Sequence, residues 1–277
     1  MNIKSTFALN NGVQIPVLGF GTNVLQGASG IKDIQTALDA GYRLIDTAQS
    51  YGNETEVGKA INASPVPRED IFVTTKITDE NQGYQRTRDS FKSSLERLQL
   101  DAVDLLLVHW PNVENFSLSI ETWKALIDLQ EQGKARAIGV SNYTPELLQK
   151  TIDATGIIPT VNQVEFHPFL FQEELLTYCK EQNILIESYC PIARAKRTDN
   201  PVLQRLAEKY AKSPVQVILR WHLEHGLVPI PRSTNPEHIK ANTELFDFSL
   251  TESEVAEMDA LDDNFRIVDP KKGAWNH

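Results

Sequence analysis

The chain has 277 residues, of which 41% are hydrophobic and 23% are charged, and its formal net charge is -10. This is the composition of a globular protein, long enough for one large α/β barrel or two medium domains. The acidic balance argues against a nucleic-acid partner and against an anionic membrane surface. It is compatible with a local basic pocket for a phosphorylated cofactor.

The cysteine content and the first residues bear on the compartment. Two cysteines, Cys179 and Cys190, are too few for a disulfide framework and fit reduced, buried thiols. The first six residues lack the apolar centre of a signal peptide, and no apolar run reaches the length of a transmembrane helix. We therefore expect a cytoplasmic protein that makes no membrane contact.

The chain begins with a hairpin pattern. Two short strands flank Asn11-Gly12, a pair suited to a tight turn with positive φ. A buried strand over residues 17–21 follows. Residues 31–40 then place apolar side chains on one helical face, and Gly41 marks the end of that helix.

A strand–helix pattern then repeats to the end of the chain. With residues 17–21, eight segments read as strands, and the other seven are 43–45, 71–75, 103–108, 135–140, 160–164, 185–188 and 227–230. The segments between them read as helices over 55–60, 87–98, 118–132, 146–154, 173–181, 202–210, 214–224 and 236–242. A last helix over 252–261 has Thr251 as its N-cap and Glu254 completing a capping box, and residues 262–277 read as a tail without periodicity.

This alternation predicts the fold class. Strands that alternate with amphipathic helices form parallel βαβ units. Eight such units predict an α/β protein with a (β/α)8 TIM barrel, an N-terminal β-hairpin and an extra C-terminal helix, in one domain over residues 1–277. A doubly wound open sheet is the alternative, because periodicity does not show whether a sheet closes.

Ionisable residues stand where successive predicted strands end. Asp46 follows the second strand and Tyr51 lies in the loop beyond it, Lys76 follows the third strand, and His109 follows the fourth. In a TIM barrel these ends form the active-site face. We assign Gly52-Asn53-Glu54 to turn and helix-start chemistry.

These four side chains suit proton transfer to a carbonyl oxygen that accepts a hydride. A free tyrosine, with a pKa of about 10, is a reluctant acid at neutral pH, and a nearby lysine cation favours its phenolate form. Asp46 would hold Lys76 charged and in place. His109 would orient the carbonyl oxygen and stabilise its developing charge.

Each of the four also has an ordinary structural interpretation. Asp46 could be an N-cap, Tyr51 a loop aromatic, Lys76 a solvated cation and His109 a core histidine. Their joint placement at successive strand ends favours the catalytic interpretation.

The sequence resembles the aldo-keto reductase family over nearly its whole length. The resemblance rests on the segments 12–22, 46–54, 107–111, 138–142 and 162–168, together with Lys76. It implies a (β/α)8 barrel and reversible, nicotinamide-dependent carbonyl reduction. Histidine at position 109 is similar to the members that reduce carbonyls, and the short loops after Trp110 and Pro191 resemble bacterial-type members such as the 2,5-diketo-gluconate reductases.

The resemblance also implies where the cofactor binds. Ser141, Asn142 and Gln163 would hold the nicotinamide carboxamide, Tyr189 would stack on the nicotinamide ring, and Thr22 belongs to the same site. An aromatic face selects the side of the ring that presents its hydride, although Tyr189 could also be ordinary barrel packing.

The segment after the eighth strand would bind the adenosine 2′-phosphate and the adenine. Its predicted cofactor-binding residues are Arg232, Ser233, Thr234, His238 and Asn242. The family usually has lysine at position 232 and arginine at position 238. Arginine still binds phosphate well, whereas histidine is mostly neutral at pH 7, so we expect NADP(H) with use of NAD(H) left open.

The predicted substrate pocket adds four residues to Tyr51 and His109: Phe20, Asn23, Trp110 and Trp275. We expect small aldehydes and α-keto or diketo compounds as substrates. Arg194, Lys196 and Arg197 could attract an acidic substrate or could form a solvated loop.

Other roles are less well supported by the sequence. His222 and His225 lie three apart in a predicted helix without an accompanying carboxylate or thiolate set, so we expect no metal site. A regulatory or structural protein that binds the cofactor on the same fold is the alternative function. We expect a monomer whose partner is a small carbonyl compound.

Overall fold

The barrel is built from eight parallel strands in the order of the chain. The computed structural model describes residues 1–268. After the two strands of an N-terminal hairpin, its barrel strands are β3 (Gly19–Gly21), β4 (Leu44–Asp46), β5 (Phe72–Ile77), β6 (Val103–Val108), β7 (Ala135–Ser141), β8 (Val161–Glu165), β9 (Leu185–Tyr189) and β10 (Val228–Pro229). Their order in the sheet is β10-β9-β8-β7-β6-β5-β4-β3. A doubly wound sheet would reverse its strand order, so this sequential order excludes that alternative.

One backbone hydrogen bond joins the two ends of the sheet. The amide of Gly21, at the end of β3, donates to the carbonyl of Pro231, just after β10, over 3.1 Å. Gly21 lacks a side chain that would crowd this junction, because a Cβ there would lie 3.1 Å from the Ile230 carbonyl oxygen. The predicted (β/α)8 barrel is confirmed.

The helices cover the outside of the barrel. They are α1 (Gly27–Asp39), α2 (Glu54–Asn62), α3 (Tyr84–Leu98), α4 (Phe116–Glu131), α5 (Pro145–Thr155), α6 (Glu173–Glu181), α7 (Pro201–Tyr210), α8 (Pro214–Glu224), α9 (Pro236–Ala241) and the extra C-terminal α10 (Glu252–Asp259). The predicted capping box at Thr251 and Glu254 is present at the start of α10. Within residues 1–268, no helix combines the length and the apolar character that crossing a membrane requires.

A two-stranded hairpin packs against the barrel interior. Its strands β1 (Thr6–Ala8) and β2 (Gln14–Pro16) are antiparallel, and Gly12 in the turn has φ of 84°, as the Asn11-Gly12 pair predicts. Leu9 and Ile15 of this hairpin join the apolar cluster that fills the barrel. The hairpin therefore leaves the opposite end, where the strands finish, for polar side chains.

Strand alternation divides the core into two clusters. Inward-facing residues such as Leu44, Leu105 and Val161 form the cluster inside the barrel. Their neighbours, such as Ile45, Leu106 and Val164, belong to the larger cluster between the strands and the helices. Towards the strand ends the inward positions become polar, and these are the positions that build the site.

The interior is tight enough to require glycine at position 139 of β7. A Cβ there would lie 2.5 Å from the Val161 carbonyl oxygen of the neighbouring strand, whereas a Cβ on Gly156 after α5 would meet no atom within 4 Å. We expect Gly139→Ala to lower the free energy of unfolding by about 3 kcal/mol through overpacking. Gly156→Ala, which only strains a φ of 71°, should cost about 1 kcal/mol. Denaturant unfolding of both variants measures the difference, and equal losses would contradict the tight interior.

Candidate active site

A buried ion pair forms the centre of the site. Lys76 of β5 is 0% exposed and its Nζ lies 2.6 and 2.7 Å from the two carboxylate oxygens of Asp46 in β4, which is 2% exposed. Both residues lie inside their strands rather than just beyond them, and parallel pairing of β4 with β5 brings their inward faces together. Lys76 Nζ also donates to the Thr47 carbonyl over 2.9 Å and to Tyr51 Oη over 3.4 Å. The predicted contact of Asp46 with Lys76 and of Lys76 with Tyr51 is therefore present.

The protonation states of Lys76 and Tyr51 follow from this geometry. Burial alone would lower the pKa of Lys76, but the Asp46 carboxylate outweighs it and the pKa is raised, so the amine stays charged. Burial raises the pKa of Tyr51, and the Lys76 cation offsets this only in part. The expected lowering by Lys76 is thus one contribution to a pKa that remains above its usual value. Tyr51 is a protonated phenol at neutral pH, beside a cation that can stabilise its conjugate base.

His109 lies beside Tyr51 at the end of β6. The two ring centroids are 5.8 Å apart with an interplanar angle of 77°, and Ser50 Oγ lies 3.3 Å from His109 Nδ1. The His109 carbonyl accepts a hydrogen bond from Asn142 Nδ2 over 2.9 Å. The structure therefore brings together all four residues predicted to be catalytic.

Asn53 holds the loop that carries Tyr51. A short 3-10 turn over Gln49–Tyr51 ends at Gly52, whose φ is 66°, and α2 begins at Glu54. Asn53 makes no capping bond. Instead, its buried side chain donates to the carbonyls of Thr22 and Leu25 over 2.7 and 2.9 Å and accepts from Thr47 Oγ1 over 2.7 Å. These bonds join the loops after β3 and β4, a role that the turn-and-helix-start assignment did not include.

The residues assigned to the nicotinamide lie around the ends of β7, β8 and β9. Ser141 Oγ donates to the Gln163 carbonyl over 2.7 Å, and Asn142 Nδ2 donates to Ser141 Oγ over 3.0 Å. Tyr189 Oη donates to Asn142 Oδ1 over 2.8 Å. Asn142 adopts a φ of 67°, a left-handed conformation that asparagine tolerates better than most residues. The structure places this set next to His109 and Asp46.

Glu187 is a buried carboxyl of the site that the sequence analysis did not identify. Gln163 Nε2 donates to Glu187 Oε2 over 2.5 Å and to Asp46 Oδ2 over 2.8 Å. Burial and the nearby Asp46 carboxylate raise the pKa of Glu187 to about 8, against the opposing effects of Gln163 and Lys76. The sequence feature that could have identified Glu187 is a glutamate in the middle of the buried strand Leu185–Tyr189.

The other predicted cofactor residues occupy the junction of β3 and β10. Thr22 is buried and its Oγ1 donates to the Asp46 carbonyl over 2.8 Å. Arg232, Thr234 and His238 are exposed, Ser233 is half-buried with its Oγ accepting from the Asn235 amide over 3.1 Å, and Asn242 is buried. Asn235 also caps α9 by accepting from the Glu237 amide, so one terminal N–H of that helix is already bonded. The exposed side chains of Arg232 and His238 are thus the ones predicted to meet a phosphate.

The predicted substrate pocket needs one correction. Phe20 is 1% exposed and packs edge-on against Tyr42, with ring centroids 5.5 Å apart, in the core between strands and helices. Alternation along β3 turns Gly19 and Gly21 inward and Phe20 outward, so Phe20 does not line a pocket. Asn23 is exposed beside Thr22, Trp110 is half-buried beside His109, and Trp275 lies outside the described residues.

The segment after α10 is tied to the strand ends. Glu165 at the end of β8 is 2% exposed, and its carboxylate oxygens accept the amides of Ile267 and Val268 over 2.6 and 2.9 Å. Arg197 pairs with Asp263 over 2.6 Å and lies 3.9 Å from the centre of the Phe265 ring. Arg197 therefore binds the segment 263–268. This contact differs from both predicted roles of Arg197, which were a solvated loop residue and a cation that attracts an acidic substrate.

Loss of the Glu165 carboxylate should release this segment. In Glu165→Ala the two amides lose their acceptor, so local opening becomes easier and trypsin should cut after Arg266 about tenfold faster or more. Mass spectrometry of the fragment ending at residue 266 provides the measurement. Glu252→Ala at the exposed start of α10 is the control, and an unchanged rate in Glu165→Ala would contradict the anchoring role.

Comparison with known proteins agrees with this geometry. The family model described as the Aldo/keto reductase family matches residues 17–263. Glyoxal reductase of Bacillus subtilis (strain 168) is 45% identical over 267 residues, which covers 96% of each chain. A crystal structure of an aldo/keto reductase from Brucella melitensis has a TM-score of 0.90 and 44% identity, covering 93% of this chain and 99% of that one. The aldo-keto reductase of Bombyx mori in complex with NADP has a TM-score of 0.89 and 33% identity over 98% of both chains. The chain belongs to the aldo/keto reductase family.

Proposed function

We propose that the protein reduces aldehydes and ketones to alcohols with NADPH, using Tyr51 as the general acid. The observation that carries this proposal is the buried sequence of contacts from Asp46 through Lys76 to Tyr51, at 2.6 and 3.4 Å. A phenol, a held cation and a neighbouring imidazole at the open end of a barrel suit protonation of a carbonyl oxygen.

Each of the four side chains has a separate role in the proposed proton transfer. Tyr51 Oη gives its proton to the carbonyl oxygen while His109 supports that oxygen by hydrogen bonding. The phenolate that remains faces Lys76 Nζ, and Asp46 keeps Lys76 charged and in position. The bonds of Asn53 hold the loop that places Tyr51 within reach of Lys76.

The donor set fits a nicotinamide cofactor. When bound, reduced nicotinamide supplies the hydride. Ser141, Asn142 and Gln163 offer amide and hydroxyl groups at adjoining strand ends, and Tyr189 offers an aromatic face beside them. Both amide hydrogens of Gln163 are directed at Asp46 and Glu187, so Gln163 would meet a carboxamide through its oxygen.

NADP(H) is the proposed form of the cofactor. Six proposed cofactor-binding residues lie near the junction of β10 and β3: Thr22, Arg232, Ser233, Thr234, His238 and Asn242. Arg232 is the permanent cation among them. The Bombyx mori relative of known structure binds NADP. His238 contributes less charge than an arginine would, so NAD(H) is proposed as a weaker alternative.

Small carbonyl compounds are the proposed substrates, including aldehydes and α-keto or diketo compounds. The support is the exposed Asn23, the half-buried Trp110 and the similarity to a glyoxal reductase. A protein that only binds the cofactor, with a regulatory or structural role, would not depend on the proton of Tyr51.

Tyr51→Phe tests the mechanism directly. Removing the phenolic proton should lower NADPH-dependent reduction of glyoxal or methylglyoxal by about a thousandfold. NADPH binding, followed by its fluorescence, should persist because the ring remains. Tyr178→Phe, on the outer helix α6, is the matched control and should keep full activity. Full activity in Tyr51→Phe would exclude Tyr51 as the acid.

His238→Arg tests the choice of cofactor. A guanidinium at this exposed position should bind the 2′-phosphate through charge-assisted hydrogen bonds and lower the Kd for NADPH about tenfold. The Kd for NADH should change less than about twofold, because NADH has no 2′-phosphate. Equal changes in the two constants would remove His238 from the phosphate site.

A further inference from the structure

Glu187 shares the Gln163 amide with Asp46, and proton transfer by Tyr51 does not use this carboxyl. It lies at an inward position of β9, 0% exposed, opposite Gln163 of β8 in the strand pairing. Its Oε2 accepts from Gln163 Nε2 over 2.5 Å. Its Oε1 is buried and has no hydrogen-bond partner among the described residues.

This environment favours the neutral form of the carboxyl. An ionised carboxylate would leave a buried, charged oxygen without a donor, which costs far more than a buried, neutral hydroxyl without an acceptor. Burial and the Asp46 carboxylate act in the same direction and raise the pKa of Glu187 to about 8.

The charged and titratable groups around Glu187 come from several elements. Facing the same interior are Asp46 of β4 and Lys76 of β5, then, nearer the opening, Glu165 of β8 and Tyr189 of its own strand. β10, the other neighbour of β9, has no titratable side chain over Val228–Pro229, and α6 covers the outer face of β9 with Cys179. Among these groups Lys76 is the charge that favours the ionised form.

We infer that Glu187 is a proton-dependent positioning residue that acts through Gln163, which it bonds, and through Lys76, which its charge would attract. With its proton, Glu187 holds the Gln163 amide between itself and Asp46 and adds no charge beside the Asp46–Lys76 ion pair. When that proton passes to solvent, a second negative charge stands behind the Asp46–Lys76 pair. Lys76 is then shared between two carboxylates, and it stabilises the Tyr51 phenolate less.

The inference rests on the proposed function for its effect on catalysis, but not for its effect on stability. A carboxyl whose pKa is raised by folding stabilises the folded state below its unfolded pKa and loses that contribution as the pH rises through its folded pKa. The folded pKa of Glu187 is about 8 against an ordinary 4.5, so the window runs from about pH 4.5 to about pH 8. Glutamine at position 187 keeps the shape and the acceptor oxygen but cannot ionise.

The first arm of the test uses the protein without cofactor. The difference in Tm between Glu187→Gln and the unchanged protein should increase in favour of the variant between pH 5 and pH 8.5. Ser188→Ala is the matched control, because it removes a neighbouring buried hydroxyl that also has no partner among the described residues. Its difference in Tm should be constant with pH. A constant difference for Glu187→Gln as well would overturn the inference, whatever the activity of the protein.

The second arm follows kcat for NADPH-dependent reduction from pH 6 to pH 9.5. As Glu187 ionises, the kcat of the unchanged protein should fall about three- to tenfold. This fall should be absent in Glu187→Gln and present in Ser188→Ala. An alkaline loss of equal size in Glu187→Gln would overturn the inference. Absence of turnover in all three proteins would instead contradict the proposed reductase function. The pH dependence of Tm would still show whether Glu187 is protonated in the folded protein at neutral pH.

Discussion

The structure of the site depends on the burial of Lys76. A lone ammonium in a barrel interior would be costly, and it is retained here because Asp46 bonds it with both oxygens and the Thr47 carbonyl adds a third acceptor. This arrangement requires adjacent parallel strands whose inward faces meet. The ion pair is therefore a product of barrel geometry, and it provides the fixed charge beside which the phenol of Tyr51 is held.

Polar residues around this pair connect Tyr51, the proposed general acid, to the proposed cofactor site. Gln163 bonds both Asp46 and Glu187, and the Gln163 carbonyl accepts from Ser141. Asn142 continues the network to His109 and Tyr189. Because low-dielectric surroundings strengthen such bonds, a change in charge at one residue of the network changes the electrostatic energy of the others. The same network that holds the proposed cofactor contacts also surrounds the groups of the proposed proton transfer.

A second set of contacts holds the loops that frame the site. Asn53 connects the loop after β3 to the loop after β4, and Glu165 and Arg197 connect residues 263–268 to the end of β8 and to the loop after β9. These side chains are buried or half-buried although they lie in or near loops. Loops held by such bonds suit the proposed mechanism, in which Tyr51 acts beside Lys76 at the observed distance of 3.4 Å.

The strand–helix alternation, the number of barrel strands and the positions of Asp46, Lys76 and His109 at strand ends were predictable from the sequence, because they follow from local periodicity and residue type. The face of β3 that points into the barrel, and with it the correction of Phe20, had to come from the tertiary structure. The tertiary structure alone revealed Glu187 beside Gln163, Asn53 between two loops and Arg197 on Asp263, which is 66 residues away. Such contacts join residues distant in the chain. They leave no local pattern, since they depend on the order and closure of the sheet that brings their strands and loops together.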